Sequence, residues 1–100
     1  MPPFDIENLI WDEENEEQIS RHLPSTVVQS VFDANDWIVT RNKRHQPTDR
    51  FRLIGRTLGG DLLTVVIAPT SNDRAWRPVT AYPSEPGEVQ LFERTKRRQR

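Results

Sequence analysis

The stretch Arg50–Ala68 (RFRLIGRTLGGDLLTVVIA) constrains the fold more than any other part of this 100-residue chain. A strand over about 50–57, a tight turn at Gly59-Gly60 and a second strand over Leu62–Ala68 read as a β-hairpin. The second strand is apolar on both faces, which places it at the centre of a sheet covered from both sides. The first strand alternates. A two-residue period sets Arg50, Arg52, Ile54 and Arg56 on one face and Phe51 and Leu53 on the other. The Phe/Leu face is expected to pack on a core and the arginine face to stay in solvent. Its planar guanidinium forks suit phosphate oxygens, although surface strands also carry arginine for solubility and edge protection.

The flanking segments supply helices and further strands. Ile6–Trp11 reads as a first strand. Asp12 is a good N-cap for a surface helix over Glu13–Leu23, in which Glu17 stands four residues before Arg21 in the favourable order. Pro24 breaks that helix. Ser25 is expected to cap a second one, which packs inward through Val27, Val28, Val31 and Phe32. Trp37–Thr40 is a strand by composition, and Arg41–Thr48 is a basic loop. Ala75–Tyr82 is a strand in which Pro78 demands a bulge or an edge position. Ser84 is expected to cap a last helix, with Val89 and Phe92 facing inward. The order β-α-α-β-β-β-β-α gives an α+β fold: a small, mostly antiparallel sheet flanked by N-terminal helices and one C-terminal helix. Residues 1–93 form one domain, and the basic stretch 94–100, which lacks apolar residues, is expected to fray or to meet a partner.

The net charge of −1 hides a segregation. Residues 1–17 hold seven acids and no base, while residues 18–100 hold all 14 Lys/Arg against eight acids, a balance of +6. Such asymmetry marks polyanion-binding surfaces, and acids at a helix start also serve its dipole. No cysteine is present, which removes disulfides, thiolate metal sites and cysteine nucleophiles and fits a cytoplasmic location. No apolar run approaches the roughly 20 residues of a membrane span. No zinc, calcium-loop or phosphate-cradling glycine spacing occurs, so no metal or cofactor is expected.

Trp11-Asp12-Glu13-Glu14-Asn15 followed by Ser20-Arg21-His22, the hairpin Arg50–Val66, the strand Arg77-Pro-Val-Thr-Ala-Tyr82, and Glu88 with Phe92 four residues later stand in the order and spacing of BrnT-family toxins. The chain resembles that family over roughly residues 6–93. The resemblance implies a RelE-like fold, metal-independent RNA cleavage and neutralisation by a cognate antitoxin encoded alongside, with higher assembly through that partner. The sequence departs from the family pattern in three places. His22 comes one residue early. Tyr82 replaces an arginine, removing one phosphate-facing charge. Pro86-Gly87 interrupts the basic run that opens the last helix.

Metal-independent RNA cleavage needs a base for the 2′-hydroxyl, cations for the phosphorane and an acid for the leaving 5′-oxygen. Arg50, Arg56 and Arg77 are the candidate cations. His22, at a helix end, is a candidate proton carrier; the competing reading is a helix cap. Glu88 is a candidate base if desolvated, or else a first-turn acid serving the helix dipole. Tyr82 is a candidate acid, but five residues separate it from Arg77, so a regular strand sets the two on opposite faces and only a bulge at Pro78 unites them. Arg52, Arg56, Lys43 and Arg44 are expected to contact RNA. Of the three tryptophans, Trp76 is the best placed to stack on a base, with core packing the alternative for all of them. The sequence thus points to a ribonuclease toxin with an RNA substrate and an antitoxin partner. The alternative is a non-catalytic binding module, or an inactive toxin relative, that binds an antitoxin or nucleic acid through its arginine face.

Overall fold

The structure, a computed structural model, describes residues 6–41 and 49–98. Its elements are β1 (Asn8–Leu9), α1 (Glu13–Ser20), α2 (Ser25–Asp33), β2 (Trp37–Arg41), β3 (Phe51–Arg56), β4 (Leu62–Pro69), β5 (Ala75–Pro83) and α3 (Pro86–Arg98). The fold is α+β. A five-stranded sheet runs β1-β5-β4-β3-β2, antiparallel except for the short parallel pairing of β1 with β5. The doubly apolar β4 lies at its centre, with Leu63–Ile67 buried.

Helices cover both faces. On one side Ile19 of α1 and Val28 and Val31 of α2 pack on Leu53, Leu63, Val65 and Ile67. On the other, Phe92 of α3 packs on Ile38 and Ile54. Each such fully buried side chain stabilises the fold by roughly 1.5–3 kcal/mol. The approach of α2 to β3 depends on Gly55. A Cβ there would stand 2.7 Å from Val31 Cγ1 and 3.0 Å from Trp37 Cβ.

The arginine-bearing face of β3 is therefore largely covered, with only Arg56 at its end exposed, contrary to the expectation from alternation. Arg52 and Ile54 lie under α3 or beside it. Ile54 is fully buried, and the Arg52 side chain retains 15% exposure. The covering of both faces that β4 requires extends to its neighbour.

Local signals explain most element ends. Asp12 caps α1 through a reciprocal box, accepting from the Asn15 N–H while Asn15 Oδ1 accepts from the Asp12 N–H. The Glu17–Arg21 pair forms at 3.3 Å. Ser25 does not cap α2; Pro24 occupies that position and no side chain caps it. Ser84 does not cap α3 either, because its hydroxyl turns to Thr64, 2.7 Å away. That end is closed instead by Glu88, whose carboxylate accepts the Glu85 N–H at 2.9 Å. The stretch Arg94–Arg98, expected to fray or to meet a partner, lies within α3. Lys96 pairs with Asp36 at 2.9 Å and lies over the Phe92 ring, and basic residues complement the helix's C-terminal dipole.

Candidate functional site

β5 contains the irregularity that Pro78 demands. Val66 pairs with Thr80 but Ile67 pairs with Pro78, so Val79 is an extra residue. The carbonyl of Trp76 accepts from the Ile10 N–H and that of Pro78 from Asn15 Nδ2. The main-chain groups of residues 76 and 78 thus point outward, away from β4, and the missing N–H of Pro78 removes no bond between β4 and β5. The bulge also changes the phase of the strand. Arg77 pairs with Ala68 and Tyr82 with Thr64. Because Ala68 and Thr64 are an even number of residues apart, Arg77 and Tyr82 share a sheet face.

That face is the one bearing the β3 arginines. Arg52 pairs with Val66 and Ile54 with Thr64. Extending the same register by one residue sets half-buried Arg50 opposite Ala68, with Arg77 on the far side of Ala68. Two strand spacings place the Arg50 and Arg77 backbones about 10 Å apart. Arg50, Arg52 and Arg77 therefore occupy one end of one face. Arg56, opposite Leu62, lies six β4 residues from Ala68, roughly 20 Å away, with its guanidinium over the Phe92 ring at 5.1 Å.

Two of these cations are paired internally. Arg77 Nε and Nη2 donate to Asp12 Oδ2 and Oδ1 at 2.8 and 3.1 Å, and Nη2 also reaches Glu14 Oε1 at 3.3 Å. The hydrogen bond from Arg77, helped by the Asn15 N–H, holds the Asp12 carboxyl down to about 2, and Asp12 in turn raises the Arg77 pKa. The Arg77 side chain keeps 29% exposure, so the pair is open to water and to competing anions.

Arg52 belongs to a buried network. Glu88 is 3% exposed, and its Oε2 accepts from Arg52 Nη1 at 2.9 Å and Tyr82 Oη at 2.7 Å. Oε1 accepts from Thr64 Oγ1 at 3.0 Å and from the Glu85 N–H at 2.9 Å. With its one proton directed to Glu88, the Thr64 hydroxyl accepts from Ser84. Burial works against the Glu88 charge, but the hydrogen bonds from Glu85, Tyr82, Arg52 and Thr64 outweigh it and hold the carboxyl below its usual value. Burial, followed by the hydrogen bond to Glu88, pushes the Tyr82 phenol well above its usual value. Four hydrogen bonds fill the acceptor sites of a carboxylate. In the free protein, then, the Glu88 acceptor sites are occupied and the Tyr82 proton is engaged. These two residues, expected to carry protons, form a buried hydrogen-bonding unit that also fixes Arg52, whose Nε donates to the Arg41 carbonyl at 3.0 Å.

The remaining sequence candidates are dispersed. His22 is exposed in the turn between α1 and α2. Its neighbour Leu23 lines a cleft with Arg56, Leu62 and Pro83, at the end of the sheet opposite Arg77. Trp76 is 6% exposed, packs edge-on against Phe51 and donates from Nε1 to the Asp73 carbonyl; it is a core residue and offers no stacking face. Lys43 and Arg44 lie outside the described residues. Among the described residues no group of three His, Cys, Asp or Glu could hold a metal ion, and no helix is long and apolar enough to cross a membrane. Sequence reasoning missed three partners: Asp12 and Glu14, which face Arg77, and Thr64, which faces Glu88. The Trp-Asp pair ahead of α1 was the available signal for Asp12; nothing local marked Thr64.

The sheet and its three helices form an architecture that is also seen in a solved protein. A solved structure with this architecture is that of the Brucella abortus ribonuclease toxin BrnT. It superposes with a TM-score of 0.55 at 18% sequence identity, over 78% of this chain and 96% of that one. No family model matches the sequence, and no curated protein does.

Proposed function

We propose that this protein is the toxin of a toxin–antitoxin pair and acts in the cytoplasm as a metal-independent endoribonuclease. The observation that carries the reading is the Val79 bulge, which supports a shared phosphate-binding end by turning Arg77 to the face of Arg50 and Arg52. In the proposed reaction the 2′-oxygen attacks phosphorus and the P–O5′ bond breaks. Solvent water takes the proton from the 2′-hydroxyl and solvent returns one to the leaving 5′-oxygen, so that the 2′,3′-cyclic phosphate and the 5′-hydroxyl are the two products. Arg50 and Arg77 stabilise the charge that builds on the phosphorane, a role in which loss of one donor costs about 3 kcal/mol of transition-state stabilisation. Arg52 is a positioning residue held by Glu88 and Tyr82. Asp12 and Glu14 occupy Arg77 in the free protein and are displaced by the substrate phosphate. The fold it shares with a ribonuclease toxin supports the same reading.

A second reading is favoured by a specific observation. With the Glu88 acceptors filled and the Tyr82 phenol raised, the described face offers cations without a free proton carrier. On that reading the protein binds RNA or an acidic antitoxin without cutting. Inducible expression of the wild type beside Arg77→Ala, with growth and RNA integrity followed, separates the two. Growth arrest with fragmented RNA, relieved in the variant, supports the nuclease. Intact RNA in the wild type supports the binder.

A further inference from the structure

The end of the sheet farthest from Arg77 carries a surface that the RNA reading does not use. An open trough of about 530 Å³ runs between the start of α2, the β3–β4 turn and α3. Its walls are largely aliphatic, from Leu23, Val27, Leu62, Leu63, Pro83 and Val89. Leu58, on the same turn, is 94% exposed. At Arg56 and Glu93 this trough meets a second of similar volume along the outer face of α3, lined also by Gln90, Arg94, Lys96 and Arg97. Lys96 is paired with Asp36, whereas Arg56, Arg94 and Arg97 make no ion pair among the described residues.

We infer that this double trough docks an acidic amphipathic helix of a partner protein. Apolar side chains spaced along one face of such a helix fill the aliphatic trough, as in other helix-in-groove complexes. Carboxylates on its flank meet Arg56, Arg94 and Arg97, which fix the orientation and speed the encounter. The apolar half decides against nucleic acid, because a ribose-phosphate chain has no aliphatic side chains long enough to fill it and would bring its charged phosphates to an apolar wall. The charged half decides against a purely hydrophobic partner. The inference does not depend on RNA cleavage, since the surface lies at the opposite end of the sheet from Arg50 and Arg77.

The test uses the full chain and a labelled 16-residue peptide with leucines at helical i, i+4, i+7 spacing and glutamates elsewhere, together with a peptide of the same composition in scrambled order. Fluorescence anisotropy at low salt is expected to show the patterned peptide binding at least tenfold tighter than the scrambled one. Arg94→Ala with Arg97→Ala, both exposed and with good helix propensity, is expected to weaken it at least tenfold, with the circular-dichroism spectrum unchanged. Amide shifts in the wild type are expected at Val27, Asp61, Val89 and Glu93. Equal binding of the two peptides, no binding, or shifts confined elsewhere would overturn the inference. So would a short oligouridylate that binds the same residues as tightly as the patterned peptide.

Discussion

The phenol of Tyr82 donates a 2.7 Å hydrogen bond to Glu88 Oε2, and this contact ties the last strand to the helix that follows it. The same carboxylate holds Arg52 from β3 and Thr64 from β4, so one buried charge joins four elements. Removing it strands a largely buried guanidinium. Glu88→Ala is expected to cost about 3 kcal/mol or more in urea unfolding, and Tyr82→Phe about 1 kcal/mol. Equal stability of Glu88→Ala and wild type would show that the network does not hold the fold together.

The pH dependence of stability follows from the same groups. Glu88 and Asp12 have lowered pKa values in the folded protein. Their contributions are therefore complete above the ordinary carboxylate values and vanish as the pH falls through the folded ones. Tyr82 is raised, so its contribution is complete below about pH 10 and is lost as the pH rises further. Thermal midpoints are expected to be level between roughly pH 6 and 9 and to fall on either side. Tyr82→Phe removes the phenol and is expected to reduce the alkaline fall. An alkaline fall of undiminished size in Tyr82→Phe would contradict this assignment.

Gly55 admits α2 to the sheet. The added methyl of Gly55→Ala meets Val31 at 2.7 Å and is expected to destabilise the fold by about 1–3 kcal/mol. Trimming the obstruction with Val31→Ala is expected to make the double variant more stable than the sum of the two single changes. Strict additivity in that cycle would mean that the close approach is absent.

Asp12 blocks Arg77 with charge but caps α1 with shape. Asp12→Asn keeps a good cap and removes the competing carboxylate. It is expected to tighten binding of a short RNA several-fold at low salt, while Arg77→Ala weakens it. Filter binding across a salt series measures both. Unchanged affinity in both variants would remove Arg77 from the RNA site.

These relationships differ in how far the chain announces them. The β3–β4 hairpin is legible because its alternation, glycine pair and apolar strand are all local, and the α1 start is legible because Asp12 and Asn15 are three residues apart. The covered face of β3 is not. A two-residue period separates the faces but does not say what lies over each, and the carboxylate that neutralises Arg52 is 36 residues away. The Arg77–Asp12 pair spans 65 residues. Pro78 announced a bulge, but its phase, which decides whether Arg77 and Tyr82 share a face, emerged only from the pairing with β4. Trp76 invited a stacking role through its neighbour Arg77, yet successive strand residues face opposite ways, so its ring lies in the core.

The most direct test of RNA cleavage by 2′-hydroxyl attack is digestion of an end-labelled RNA by the purified protein in EDTA. A second strand carries 2′-deoxy sugars at the cut positions. The expected result is cleavage that leaves 2′,3′-cyclic phosphate and 5′-hydroxyl ends, is abolished by the 2′-deoxy sugars, and falls about a hundredfold in Arg77→Ala. An uncut ribose strand, or equal cutting of the deoxy-substituted one, would contradict the account.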